Sequence, residues 1–431
     1  MVKKIINKYL AILVTFLLIF ISGVSISGNI EQQKLNVLSN TKIVQGNKLN
    51  DLLFDFAVSY LMGHLNFPGM SACIIKKDDV SKKNEVIWFN SYGYRDIENK
   101  KPAMENTVYF LASLTKTITA TALMQLWEQD LFDLDEDVNN YLPFSLRNPN
   151  FPDVPITFRM LLTHRSSLNE EYFGEGYYRL NFSGDPPFSW YPYPWLQEHL
   201  VPGGKWYYPE RWCTSPPGET GIYANVNFDI IAYLVECISG LSFLDYCDRY
   251  IFDPLEMYNT SFNLSEFDID NVAIPYHKHE GQYVHINDLS YIYGINGTPP
   301  EKYYRIQSYP AGGLYSTVID LSHFFIAHMN GGEWNHVRIL EEDTVEEMHK
   351  TQPPSKSVGF AWITGNLPFF PDNATFCGNK GDSYGAFSWM NYYLNENIGL
   401  IICANGGMYY EQHEFRSIIS FFIFLRLLYG K

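Results

Sequence analysis

Ser113 and Lys116 stand three residues apart in Ser113-Leu114-Thr115-Lys116, and Tyr223-Ala224-Asn225 follows far downstream. These residue types can do acyl chemistry together. A serine hydroxyl is a weak nucleophile at neutral pH, so a neighbour must take its proton during attack. An amine can lower the cost of that step and a phenol can relay the proton. Ser and Lys three apart on a helix lie on one face, a turn from each other. Residues 115–129 carry Ile118, Ala122, Leu123, Leu126 and Trp127 at helical spacing, which predicts a helix. Ser113 then falls at its first turn, where free N–H groups and the helix dipole favour negative charge. The pattern alone is weak: a second copy, Ser39-Asn40-Thr41-Lys42, sits in a polar stretch without a core and reads as chance.

The elements that must hold these groups follow from the order of patterns. Residues 48–64 predict an amphipathic helix with Leu49, Leu52, Leu53, Phe56, Tyr60 and Leu61 on one side. Strand-like runs occupy 69–75 and 85–94, then return at 358–364, 386–393 and 398–404, and a last helix spans about 411–428. Strands at both ends with helices between predict an α+β domain over 48–431. One sheet is completed by both ends of the chain, with a helical subdomain inserted at about 113–300. Residues 29–47 read as a polar linker. The stretch 170–212 is rich in aromatics, Pro and Gly. Three readings of it stand: a cleft wall, a self-packed insertion, or partial cover of a membrane surface.

Net charge −16 on 431 residues argues against a nucleic-acid or polyanion partner, because phosphate binding needs clustered Lys and Arg. Lys3, Lys4 and Lys8 precede an uncharged, largely apolar run at 10–26. Residues 1–28 therefore read as a signal peptide or an N-terminal membrane anchor, with the body exported, outside the cytoplasm. Six cysteines, at 73, 213, 237, 247, 377 and 403, show no metal spacing; Cys73 and Cys403 are expected as buried thiols, and disulfide pairing is open. His277, His279 and His285 match no common metal site and are expected in a solvated loop.

Four segments in order resemble the serine β-lactamase-related family, in its branch of class C β-lactamases, D-peptidases and esterases. They are Tyr109-Phe110-Leu111-Ala112-Ser113-Leu114-Thr115-Lys116; Ile156 to His164, with Ser167 where Gly is usual; Pro217-Gly218-Glu219 leading to Tyr223-Ala224-Asn225; and Pro310 to Thr317 with Asp320-Leu321. The resemblance covers about residue 50 to the C-terminus. It implies an antiparallel sheet with helices on both faces beside an all-helical lobe, and acyl transfer through a serine ester without metal or cofactor. It implies roles for Ser113 as nucleophile, Lys116 and Tyr223 in proton transfer, and Asn225 against a substrate carbonyl or the Lys116 ammonium. His164 is expected to cap backbone groups.

The family's third motif, K-T-G or H-x-G, resembles Gly378-Asn379-Lys380-Gly381-Asp382 here. Asn379 stands where a cation is expected, and Lys380 beside it points to the opposite face of a strand. Asn donates a hydrogen bond without charge, so carboxylate recognition is weakened. The oxyanion hole needs only the backbone N–H groups of Ser113 and Asp382. Gly381-Asp382-Ser383-Tyr384-Gly385 also fits the nucleophile elbow G-x-S-x-G. That elbow needs a following helix and then an acid and a histidine; a strand-like run follows instead, so these glycines read as turn residues. The sequence thus points to a serine hydrolase acting on a small-molecule or peptide substrate, an esterase or peptidase ahead of a β-lactamase. The competing reading is a catalytically impaired binding protein on the same fold. The oligomeric state is open.

Overall fold

The computed structural model describes residues 66–78, 83–169, 180–181, 194–279, 282–285, 302–303, 305–366, 375–383, 385–394 and 397–406, with Asp55, Val58, Ser59 and Met62 ahead of them. The expected targeting segment and linker, the closing helix and most of the aromatic stretch 170–193 lie outside the described residues.

Seven strands form the main sheet: β1 (Gly69–Lys77), β2 (Asn84–Asp96), β3 (Lys101–Pro102), β4 (Ile363–Asn366), β5 (Thr375–Ser383), β6 (Ala386–Tyr393) and β7 (Ile398–Ala404). Their spatial order is β4-β5-β6-β7-β1-β2-β3. Every neighbouring pair is antiparallel. Among the described residues the first strand therefore pairs with the last, Cys73 opposite Ile401. This is the sheet closed by both ends that the sequence predicts.

Alternation along the strands builds a core on each face. Met70, Ala72 and Ile74 of β1 share one cluster with Trp389, Leu400 and Ile402. Cys73 and Ile75 share the other with Met390, Ile401 and Cys403. Burying such a side chain contributes about 1.5–3 kcal/mol. Val58 and Met62 are buried in the first cluster; the apolar face expected for 48–64 lies outside the described residues.

The second face carries α1 (Thr115–Trp127) and α4 (Val318–Met329). Between these in sequence come α2 (Phe158–Leu162) and α3 (Val226–Ser239), and α5 (Glu342–His349) follows α4. Thr317 caps α4, its hydroxyl accepting from Asp320 N at 3.1 Å. Such a cap stabilises by about 1 kcal/mol. Among the described residues no single helix is long and apolar enough to cross a membrane.

Three local expectations change. The helix α1 is buried on every side from Thr115 to Leu126, not along one stripe. Its threonines enter the core because their hydroxyls are bonded: Thr115 to Ala112 O, Thr117 to Leu114 O and Thr121 to Thr117 O. Of the expected strand at 358–364 only Ile363 and Thr364 lie in β4; 358–362 form a turn closed by Gly359 N donating to Trp362 O at 2.7 Å, with Ala361 at φ +61° and Val358 bridged to Ile363. And His285 is not in a solvated loop. It lies on a hairpin of Tyr276–His279 with Gln282–His285, its Nε2 3.1 Å from Glu98 and its ring against Tyr276. All six cysteines are free, with Cys73 and Cys403 fully buried.

Candidate active site

A tight backbone turn presents Ser113. Residues Ala112–Leu114 form a single 3-10 turn that runs straight into α1. Ala112 sits at φ +49°, a left-handed conformation that costs a non-glycine residue about 1–2 kcal/mol. Its carbonyl is held by Thr115 Oγ1 at 2.7 Å, and Leu111 is tied on both sides: its N donates to Leu314 O and its carbonyl accepts from Ser388 Oγ at 2.6 Å.

Two side chains meet at the Ser113 hydroxyl. Tyr223 Oη lies 2.8 Å from Ser113 Oγ, and Lys116 Nζ donates to the same oxygen at 3.1 Å. Lys116 is 1% exposed, and its amine also donates to Ala311 O at 2.6 Å. Its Nζ stands 5.0 Å from the ring centre of Tyr223 and 5.6 Å from that of Phe228, faces that stabilise a cation. Tyr223 itself is half exposed, so solvent reaches the site from its side.

His164 backs the phenol. Its ring centre is 4.5 Å from that of Tyr223. Ala224 N at 3.2 Å and Asn227 Nδ2 at 3.3 Å both point donors at Nδ1, although Ala224 O is also 3.1 Å away. Two converging donors favour an Nδ1 acceptor with the proton on Nε2. Burial, and then the Lys116 charge, push this imidazole down to about 3, so it stays neutral. It caps backbone as expected, and also supports the Tyr223 ring, which the sequence did not show. Ser167, which stands where the resembled segment has Gly, adopts φ +69°. Its hydroxyl is fixed between Asn148 Nδ2 at 2.7 Å and Ser215 O at 2.6 Å.

Strand β5 runs beside the nucleophile. A Cβ on Gly381 would stand 1.9 Å from Leu111 O, so only glycine lets the strand approach. In register, Asn379 faces Met390 and Gly381 faces Ser388, while Lys380 pairs with Trp389 and Asp382 with Phe387. Directly opposed residues share a face. Asn379 and Gly381 therefore lie on the α1 side, and Lys380 and Asp382 on the other. Asn379 uses its amide on backbone: Nδ2 donates to Ala361 O at 2.7 Å, and Oδ1 accepts from Lys380 N at 2.7 Å. Burial pushes the Asp382 carboxyl up to about 6 against the pull of Lys380, and its Oδ2 is buried without a partner. Asn225 occupies the N-cap position of α3 with helical angles, and its side chain does not cap the helix. Gly385 at φ +66° turns β5 back into β6, so the G-x-S-x-G segment is a hairpin and not a strand-to-helix elbow.

Sheet, helices and a Ser-Lys-Tyr cluster at their junction define the β-lactamase and penicillin-binding-protein class of fold. A family model described as Beta-lactamase matches residues 54–416, and the chain belongs to that family, which comprises serine hydrolases. Protein flp of Staphylococcus aureus is 22% identical over 351 residues, which cover 80% of this chain and 60% of flp. The chain thus spans less than two thirds of that relative's length. An octameric penicillin-binding protein homologue from Pyrococcus abyssi is 25% identical with a TM-score of 0.62, covering 82% of this chain and 73% of that one. D-amino acid amidase from Ochrobactrum anthropi SV3 is 21% identical with a TM-score of 0.59, covering 82% and 91%. These likenesses establish the fold.

Proposed function

We propose that the protein is a serine hydrolase that forms an acyl-enzyme on Ser113 and prefers esters, amides or peptides lacking a carboxylate at the β5 side of the site. The observation that carries the reading is the hydrogen-bonded cluster Tyr223 Oη–Ser113 Oγ–Lys116 Nζ, at 2.8 and 3.1 Å. Ser113 Oγ attacks the carbonyl carbon, and its proton passes to the Lys116–Tyr223 pair, both of which contact that same oxygen. Tyr223 returns a proton to the leaving group and then helps a water release the acyl chain. The backbone N–H groups of Ser113 and Asp382 hold the oxyanion, and the close approach of Gly381 to Leu111 supports that placement. Asn225 contacts the substrate carbonyl.

The substrate preference rests on β5. Asn379 carries no charge and has committed its amide to Ala361 and Lys380 backbone, while Lys380 lies on the far face. The amidase among its structural neighbours acts, by its name, on D-amino acid amides, which also lack a free carboxylate. The basic-then-apolar segment at 1–28 supports an exported or membrane-anchored enzyme with this domain outside the cytoplasm. The test is a matched pair of acyl substrates, one neutral and one bearing a carboxylate, with Ser113→Ala as control. Higher kcat/KM on the neutral member, lost in Ser113→Ala, is expected. Turnover of neither by folded protein would favour the impaired binding protein that Asn379 also fits.

A further inference from the structure

We infer that Asp229 and Ser308 are positioning residues for Lys116, acting through the carbonyl of Ala311. The inference rests on Lys116 being the proton-handling amine of the proposed reaction.

Asp229 lies near the start of α3 and has zero exposure, as has Ser308. A carboxylate taken out of water is costly unless hydrogen-bonded. Ser308 Oγ stands 2.8 Å from each of its oxygens. Ser308 immediately precedes the helical turn Tyr309–Gly312, where a serine normally caps the turn with its hydroxyl. It makes no such cap. Its hydroxyl is directed at Asp229, so the contact fixes the turn to α3 and does not close the turn itself.

The turn's other side grips α1. Pro310 O accepts from Thr119 Oγ1 at 2.6 Å, and Ala311 O accepts from Lys116 Nζ at 2.6 Å. Gly313 N closes the turn on Tyr309 O at 2.7 Å, and Tyr309 is buried against Phe262. One path of hydrogen bonds therefore runs from α3 through Asp229, Ser308 and the turn to Lys116. Tyr223-Ala224-Asn225 leads directly into the same helix. The path holds the amine and the phenol at one separation while both serve Ser113.

The amine's titratable surroundings come from each neighbouring element. Tyr223 precedes α3, and Asp229 lies on it; His164, held neutral, ends α2; on β5 the charged Lys380 and Asp382 are on the opposite face. Tyr309 lies on the turn itself, and Asp229 reaches that turn through Ser308.

The experiment uses Ser308→Ala and Asp229→Asn, with Thr119→Val as a milder loosening of the same turn and Ser308→Thr as the conservative rescue. Two readouts are taken: the pH dependence of Ser113 acylation by a fluorophosphonate, and the ¹³Cε resonance of Lys116 through a pH titration. Ser308→Ala and Asp229→Asn should slow acylation roughly tenfold or more, shift its pH midpoint and move the Lys116 titration. Thr119→Val should do the same to a smaller degree, and Ser308→Thr should restore both. Variants that lose melting temperature but keep the wild-type pH midpoint and the wild-type Lys116 titration would overturn the inference. If wild type does not acylate, the hydrolase reading fails, and the resonance alone still decides whether Ser308 positions the amine.

Discussion

At Ser113 the decisive geometry is two hydrogen bonds to one oxygen. Tyr223→Phe keeps the ring over Lys116 and against His164 but removes the Oη that lies 2.8 Å from Ser113. Loss of proton relay of this kind lowers rates about a hundredfold or more. We expect slow acylation with little change in melting temperature; an unaltered rate would remove Tyr223 from the chemistry. Asn379→Lys should move selectivity toward carboxylate-bearing substrates by about tenfold, since a hydrogen bond to a charge contributes roughly 1.5–3 kcal/mol. Paired kcat/KM values check this, and an unchanged ratio would mean that position 379 does not read the substrate. The three reacting side chains were legible in the sequence because helix spacing and a distant Y-x-N suffice to suggest them. The carbonyl of Ala311 and the Asn379–Ala361 bond were not, because backbone acceptors supplied by tertiary packing carry no side-chain signature.

Among the elements, β5 allows no added side chain at Gly381, beside the nucleophile. Gly381→Ala would place a methyl 1.9 Å from Leu111 O, against backbone on the segment that presents Ser113. Overpacking costs about 1–3 kcal/mol. Differential scanning should show a lower melting point, and acylation should slow as Leu111 is displaced; tolerance of alanine on both counts would show that the strand can yield. The facing of Lys380 away from α1 was readable from alternation alone. The burial of α1 was not. The apolar spacing says nothing of Thr115, Thr117, Thr119 and Thr121, whose hydroxyls bond carbonyls of the preceding turn, of α1 itself or of Pro310, which lets them enter the core. His285 was misread for a related reason, since its partner Glu98 comes from a distant turn.

Across the whole molecule, buried histidines set the response to acid. Burial pushes His164 and His349 down to about 3 and His199 to about 4, and holds His328 well below the usual imidazole range. His328 and His349 lie 5.4 Å apart between α4 and α5, so charging one disfavours charging the other. Unfolded histidine titrates near 6.5. Between that value and about 3 the unfolded chain binds more protons than the folded one, so stability present above 6.5 is lost as pH falls. Asp248 and Asp382, raised to about 6, act in the opposite sense between about 6 and 3.8. Asp55, Glu128 and Glu236 are raised as well, but Asp96, Glu136 and Glu347 are lowered and offset them, so the four histidines decide the sign and the urea midpoint should be lower at pH 4.5 than at pH 7.5. His349→Gln should shrink the gap, and a wild-type midpoint equal at both pH values would contradict the assignment. The sheet closed by both ends of the chain was readable from strand order. The two-sided core became specific only with register, which places alternate residues of β1 in different clusters.

The central claim is a covalent acyl intermediate on Ser113. Intact-mass spectrometry after exposure to fluorophosphonate, ester and β-lactam probes tests it most directly. A single adduct on wild type with at least one probe, mapping to the peptide that contains Ser113 and absent from Ser113→Ala, is the predicted result. No adduct with any of the three on folded wild-type protein, or equal labelling of Ser113→Ala, would contradict it.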